Sequence, residues 1–275
     1  MGSGLVVGDE EFAVIFVVAM FLAMLACLEI GRRLGQQFRE RNDSGTSEGV
    51  ATIDAALFAL LGLLIAFTFS GAATRFELRR ELIRDEANAI GTAYLRIDLL
   101  VPAAQPALRE DFRNYVEARL AIYANVRDAQ KLRAAQVHAA AMQARLWATT
   151  MAGTAATPGV APTTLLVPPV NEMFDMATTR TVASQAHPPI VIFGMLGFLA
   201  LACSMTAGFS MANGHRGRQT LHIIAFSTAV TLTLYVILDL EYPRMGLFRI
   251  DSADQILRDV RTAMGPHTAL EPAPR

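Results

Sequence analysis

The sequence has few of the residues from which cross-links and catalytic sites are built. Its two cysteines, Cys27 and Cys203, both lie inside apolar stretches, which excludes a disulfide framework or a cysteine metal site in the polar part of the chain. The five histidines are scattered, and the sequence contains no His–Glu pair at helical metal spacing, no glycine-rich phosphate loop and no Gly-x-Ser-x-Gly elbow. We therefore predict a protein that is not an enzyme and that uses no metal and no cofactor.

Charge is also scarce. Only 18% of the residues are charged, the formal net charge is -1, and Lys131 is the single lysine among 24 basic residues. This composition gives no basic surface for nucleic acid. By contrast, 53% of the residues are hydrophobic, which exceeds what a soluble globule of this length buries, so we assign the excess to contact with membrane lipids.

Four long apolar segments, at 12–30, 53–74, 189–212 and 219–240, dominate the sequence. A helix of about 20 residues crosses a hydrocarbon core roughly 30 Å thick. The first segment lacks a basic leader and a small-residue cleavage pattern, so we interpret it as a retained span. We predict an all-α polytopic membrane protein with a helix pair in 1–74, a helical extramembrane domain in 75–188, a second helix pair in 189–241 and a C-terminal segment in 242–275.

The second span is predicted to continue beyond the membrane as one long helix over 55–100, because no proline interrupts it before Pro102 and Pro106. Residues 107–151 are predicted to be its antiparallel partner helix. The proline- and glycine-rich stretch 153–169 is predicted to be an exposed linker before a third helix at 170–187. Ser252 and Gln255 have capping-box spacing and predict a short C-terminal helix, with a frayed tail beyond Gly265.

Orientation follows from the arginines that flank the spans. The N-terminal flank has no basic residue, whereas Arg32, Arg33, Arg39 and Arg41 follow the first span. The positive-inside rule then places the loop 31–51 in the cytoplasm and the region 75–188 on the outer side. Arginines that follow the second span oppose this assignment.

The second span carries two neighbouring stripes. The small or polar stripe is Gly62, Ala66, Ser70 and Thr74, and the bulky stripe is Ile65, Phe69 and Phe76. Small residues at every fourth position permit close helix packing, and bulky residues can simply face lipid or core. The alternative for both stripes is a pore lining, in which the bulky residues form a hydrophobic constriction that gates by dewetting.

A dense polar cluster follows on the same helix. Its members are Arg84, Asp85, Glu86, Asn88 and Arg96. They either form a solvated face with internal salt bridges, or line a charged vestibule around the axis of a symmetric oligomer, where a focused field concentrates ions.

The fourth span has a polar stripe of its own, made of Thr228, Thr231, Tyr235 and Asp239. It is interpreted either as helix-to-helix hydrogen bonding or as the lining of a hydrated path. The carboxylates Glu29, Asp54 and Asp239 lie at span ends, where they either sit in the interface or bind ions. His222 is assigned a structural hydrogen bond, with a pH-sensing role as the alternative.

Three segments resemble one known family. They are LGLLIAFTFSGAATRF at 61–76, RDEANAIGTAYLR at 84–96 and DLEYPRMG at 239–246. On these motifs the chain is identified as a member of the bestrophin-like domain family of bacterial membrane proteins, catalogued as a domain of unknown function. Bestrophins are pentameric anion channels with four spans per subunit and a hydrophobic neck on the second span. The resemblance implies that Ile65, Phe69 and Phe76 are neck residues here.

We therefore expect an oligomeric ion channel, anion-conducting and pentameric by that resemblance, whose second span lines the pore. The expected location is the bacterial inner membrane, with the extramembrane domain in the periplasm. The alternative is a non-conducting scaffold or sensor whose extramembrane helical domain binds a partner or ligand. Passive conduction needs no catalytic group, which agrees with the composition.

Overall fold

The computed structural model of the protein describes residues 9–41, 47–126, 128–212, 216–242 and 251–265. These residues form helices and connecting turns and contain no strand, which confirms the all-α prediction. The helices are α1 (Asp9–Arg41), α2 (Ser47–Leu95), α3 (Gln105–Ala124), α4 (Ala129–Ala156), α5 (Ala161–Gln185), α6 (Ile190–Ser210), α7 (Arg216–Glu241) and α8 (Asp251–Ala263), with a 3-10 turn at Arg96–Leu99.

Four stretches of the described chain are long and apolar enough to cross a membrane. They lie in Val14–Phe38, Ala51–Leu99, Ala161–Ser210 and Leu221–Glu241. The third stretch includes α5, but α5 carries charged side chains and ends before Pro188 and Pro189, so we assign the span to α6 alone. The four predicted spans thus correspond to α1, the first half of α2, α6 and α7, which are helices long and apolar enough to cross a membrane.

The long second helix is also confirmed. It was predicted over 55–100 and runs without a break over Ser47–Leu95, followed directly by the 3-10 turn. Proline has no backbone N–H group and interrupts a helix, so the absence of proline before Pro102 permits a helix of this length.

The chain divides into two compact units. Unit 1 comprises Met1–Phe76 and His187–Phe248, and unit 2 comprises Glu77–Ala186 and Arg249–Arg275. The C-terminal helix α8 therefore belongs to unit 2 rather than forming a separate C-terminal segment. The assignment of 1–74, 75–188 and 189–241 to sides of a membrane stays a prediction.

In unit 1, α1 and α6 approach so closely that glycine is required at the contact. A Cβ atom at Gly31 would lie 1.9 Å from the carbonyl oxygen of Met205, and one at Gly208 would lie 2.0 Å from that of Leu28. Both distances are far below van der Waals contact. The signal was present in the sequence, because Gly31 and Gly35 have the spacing that brings membrane helices together, but our packing prediction fell on the second span instead.

In unit 2, the predicted partner helix at 107–151 is wrong as a single helix. Helix α3 ends at Ala124 and α4 begins at Ala129, and the two helices form a hairpin. The Asp128 side chain accepts hydrogen bonds from the amides of Gln130 and Lys131 and so caps α4. An aspartate in this role starts a new helix, and its position was the signal that the sequence analysis missed.

The exposed linker predicted at 153–169 is wrong except for residues 157–160, which form a bend between two helices. Helix α4 continues to Ala156, and α5 begins at Ala161, with Pro162 in its first turn and Pro168 and Pro169 inside it. A proline in the first turn costs no hydrogen bond. The two internal prolines are held in a helix because α5 buries Leu166, Val170 and Met173 in the core of unit 2. Burial of this apolar face outweighs the tendency of internal prolines to break a helix.

The predicted C-terminal helix is confirmed as α8. Leu257 and Met264 lie in the core of unit 2, and the chain leaves the helix at Gly265, whose φ of 71° favours glycine. The predicted tail beyond Gly265 and the end of the motif at 239–246 lie outside the described residues.

Candidate functional site

One face of α2 is exposed along much of its length in the protomer. In unit 1 this open face includes the small or polar residues Gly62, Ala66, Ser70 and Thr74 and the bulky apolar residues Leu63, Phe67 and Phe69. A Cβ atom at Gly62 would meet nothing within 4 Å, and the Thr74 hydroxyl donates to the carbonyl of Ser70 at 2.9 Å. The small stripe therefore packs against no helix of its own unit.

The three predicted neck residues do not share one environment. Phe69 lies on the open face and is 42% exposed. Ile65 and Phe76 are partly buried against the cluster that contains Ala72, Ile237 and Leu240. Residues spaced by four and seven lie within about 40° of one another around a helix, so the three residues share one side of α2, and Phe69 lies at the exposed edge of that side. The neck role of all three stays a prediction, with Phe69 the one that is accessible in the protomer.

In unit 2 the vestibule candidates also separate. Arg84, Asp85 and Asn88 are exposed, and Arg96 donates to the carbonyl oxygen of Leu165 at 2.6 Å. The exposed guanidinium of Arg84 lies 3.7 Å from Glu77 on the same helix. Arg84, Asp85 and Asn88 therefore form an open face on the part of α2 that belongs to unit 2, whereas Arg96 lies beyond the end of α2.

Glu86 is a correction, because its side chain is fully buried. Its Oε1 atom accepts from Arg119 Nε at 2.6 Å, and its Oε2 atom accepts from Arg180 Nη1 at 2.7 Å. Arg180 also donates to Asp254 of α8 at 2.6 Å. Glu86 directly follows Asp85 in the sequence, but successive helix residues differ by about 100° in direction, so the Glu86 side chain lies in the core.

Tyr123 completes this buried network. The guanidinium of Arg180 lies 3.6 Å from the centre of its ring, and Arg119 donates to its hydroxyl. Burial raises the pKa of the Tyr123 hydroxyl to about 12, and the nearby Glu86 carboxylate adds to this shift. Burial disfavours the charged form of Arg119, but the Glu86 carboxylate together with Tyr123 and Tyr115 more than offsets this effect and raises the pKa of the guanidinium.

The network contains two guanidiniums and two carboxylates, so its formal charges balance. Each charge has hydrogen-bonding partners, as buried ions require. It joins α2, α3, α5 and α8 through Glu86, Arg119, Arg180 and Asp254. Chemically it is a structural cluster, and its consequence for α2 is to fix which face points into unit 2 and which stays open.

The polar stripe of α7 is divided. Thr231 is buried, with its hydroxyl 3.5 Å from the sulfur of Met24, whereas Thr228 is exposed. Asp239 is buried and Tyr235 is partly buried. The Thr231–Met24 contact favours helix-to-helix interaction at that position, and Thr228 does not belong to the same buried face.

The ends of the spans hold charged groups in specific contacts. Ser210 donates to Asp54, and Glu29 pairs with Arg32 at 2.8 Å. At the C-terminal end of α7, the buried carboxylate of Glu241 pairs with Arg75. The sequence analysis missed Glu241, although an acidic residue in the last turn of an apolar helix was a signal for a buried partner.

His222, the predicted structural histidine, is exposed. Within the described chain, no group of three or more histidine, cysteine, aspartate or glutamate side chains is arranged to hold a metal ion.

The sequence matches the bestrophin-like domain over residues 14–254. The chain belongs to the bestrophin-like family. The matched range includes α2 with its open face and the buried network as far as Asp254, so both features lie within the family's domain.

Two solved structures have a similar fold. Both are crystal structures of a bacterial bestrophin homologue from Klebsiella pneumoniae, one a point mutant with a TM-score of 0.65 and the other with a TM-score of 0.69. Each is 12% identical to this bestrophin-like chain and covers 93% of it, and the chain covers 100% and 99% of them respectively. At this identity the likeness shows a shared fold. A search of curated proteins finds no match.

Proposed function

We propose that this bestrophin-like protein is a homo-oligomeric channel that conducts anions, with the open face of α2 from each subunit lining the pore. By the family resemblance the oligomer is a pentamer. The observation that carries the proposal is the exposure of α2 side chains at intervals from Gly62 to Asn88, on the side of the helix away from the buried residues Leu61, Ala72 and Glu86. Small, hydroxyl-bearing and charged side chains follow one another along this exposed face, and a pore requires a lining of this kind.

Phe69 is the side chain that we assign to the constriction. It is bulky and apolar, and it lies between Ala66 and Ser70 on the open face. Rings of such side chains close a pore by excluding water, so that removal of the ring lets water and ions enter. Ile65 and Phe76 have a supporting role in this proposal, because they pack against α7 and hold the helix that carries Phe69.

The charged part of the open face is assigned to the vestibule. Its exposed side chains include the carboxylates Glu77, Glu81 and Asp85 and the guanidiniums Arg80 and Arg84. This mixture does not select one sign of ion, so the preference for anions rests on the family resemblance. We place the protein in the bacterial inner membrane, with unit 2 on the periplasmic side by the arginines that follow the first span.

Flux from liposomes that contain the purified protein tests the proposal. We expect Phe69→Ala to raise chloride efflux several-fold over the wild type, because the smaller side chain no longer keeps the constriction dry. The matched control is Leu22→Ala, which truncates an exposed apolar residue of α1 and should leave efflux at the wild-type rate. Potassium efflux measured in parallel reports the selectivity.

Absence of flux for every variant, from protein shown to be folded and oligomeric, would contradict the channel. That result would favour a scaffold or sensor whose helical unit 2 binds a partner. Equal increases in Phe69→Ala and Leu22→Ala would show that the flux reports a general leak.

A further inference from the structure

Helix α4 has an exposed face with a regular seven-residue spacing. Ala134, Ala141, Ala148 and Ala155 recur every seven residues, and Val137 and Met151 lie between them at the spacing of a coiled-coil seam. Val137 is 72% exposed and Met151 is 41% exposed. We call these six residues the α4 seam. The opposite side of α4 packs into unit 2 through Ala139 and Leu146.

The charges beside the α4 seam have one sign. Helix α4 contains Lys131, Arg133 and Arg145 and no acidic residue. All three side chains are exposed, although Lys131 also contacts Asp128 and Arg145 contacts Asp111. A helix that is apolar at its centre and basic at its margins fits a partner surface that carries exposed acidic groups.

The same unit supplies such a surface on α5. Its acidic residues Glu172 and Asp175 are both exposed, and its only basic residue, Arg180, is buried in the network with Glu86. The other helices of unit 2 that expose acidic residues also expose or contact arginines: α2 exposes Arg80 and Arg84, α8 exposes Arg258, and Glu117 of α3 pairs with Arg261. Of the helices in unit 2, α5 is therefore the one whose exposed charge complements α4.

We propose that the α4 seam of one subunit docks against the acidic face of α5 on a second copy of this chain. The inference rests on the oligomer of the proposed function and identifies the surface that assembles it. In a ring of more than two subunits each interface joins two different surfaces, and α4 and α5 form such a pair. Alanine at the seam lets the helices approach closely, and the marginal charges set the register and the choice of partner.

Charge reversal tests this pairing. We expect Arg133→Glu and Glu172→Arg each to raise the protein concentration for half-assembly in detergent by about tenfold, since placing like charges at an interface costs at least the energy of a tenfold change. The double variant should return within about twofold of the wild type, because the pair is restored with its signs exchanged. Light scattering during size-exclusion chromatography gives the mass of the assembly.

Two controls separate docking from general damage. Arg258→Glu reverses an exposed charge on α8, and Ala107→Glu adds a charge to an exposed alanine of α3; both should assemble like the wild type. Ala141→Glu, at the centre of the α4 seam, should disrupt assembly while circular dichroism shows unchanged helix content.

Three outcomes would overturn the inference. If the wild type is oligomeric and the two reversals assemble like the controls, α4 and α5 are not the interface, and the proposed channel survives. Weakened assembly without rescue in the double variant would show that the two helices do not face each other. A wild type that is monomeric at every concentration would remove both this interface and the oligomeric channel.

Discussion

Glu86→Gln is expected to destabilise unit 2 by about 3–5 kcal/mol, the usual cost of removing one partner from a buried ion cluster. The substitution keeps the shape of the side chain but leaves Arg119 and Arg180 buried with Asp254 as their remaining carboxylate. Two guanidiniums then share one negative charge where water cannot reach them. Thermal unfolding in detergent, followed by circular dichroism, measures the loss.

Glu77→Gln is the matched control, because it removes a carboxylate from the same helix at an exposed position. Glu77 contacts the exposed Arg80 and Arg84, and exposed pairs of this kind contribute at most about 1 kcal/mol. If Glu86→Gln unfolded at the same temperature as Glu77→Gln, the buried network would not stabilise the fold as we infer.

Gly208→Ala is expected to disrupt the packing of α1 on α6 in unit 1. The new methyl group would lie 2.0 Å from the carbonyl oxygen of Leu28, and the atom that it meets belongs to the backbone and cannot rotate away. The helices must separate along their contact, at a cost of about 1–3 kcal/mol or more. Gly31→Ala should behave alike, since its methyl group meets the carbonyl of Met205 from the other side.

Gly194→Ala and Gly197→Ala are controls on the same helix. A Cβ atom at either position would meet nothing within 4 Å. Alanine favours a helix over glycine by about 1 kcal/mol, so both controls should be neutral or slightly stabilising. Equal stability of Gly208→Ala and Gly194→Ala, measured by resistance to denaturing detergent, would contradict the close approach of α1 and α6.

The sequence predicted those parts of the fold that depend on long, uninterrupted patterns. The four apolar runs predicted the spans α1, α2, α6 and α7, and the lack of proline predicted the length of α2. Both signals extend over 20 residues or more. Local irregularities cannot cancel signals of that length.

Tertiary burial decided the features that were missed. Pro168 and Pro169 indicate a linker when read locally, and only the core around Leu166 and Met173 keeps α5 helical through them. Glu86 adjoins Asp85, which made it a vestibule candidate, but its buried partners lie 33 and 94 residues further along the chain. No local pattern reports a partner at that separation.

The buried network and the open face are two sides of one helix, and this explains why the candidate site was predicted only in part. Glu86 fixes one side of α2 in unit 2, and Arg84 and Asn88 remain outside because of that rotation. The sequence identified the helix, and the structure separates its packing residues from those that are accessible. The central claim is that the accessible side lines the ion path.

Thiol block of flux tests that claim most directly. In protein with both native cysteines replaced by alanine, single cysteines at Ser70, Thr74 and Asn88 on the open face are compared with cysteines at Ala72, on the buried face of α2, and Val18, on the exposed face of α1. We expect a charged thiol reagent to abolish most of the chloride efflux at the first three positions and to leave efflux unchanged at Ala72 and Val18. Block at Val18 with none at Ser70, Thr74 and Asn88 would contradict a pore lined by α2.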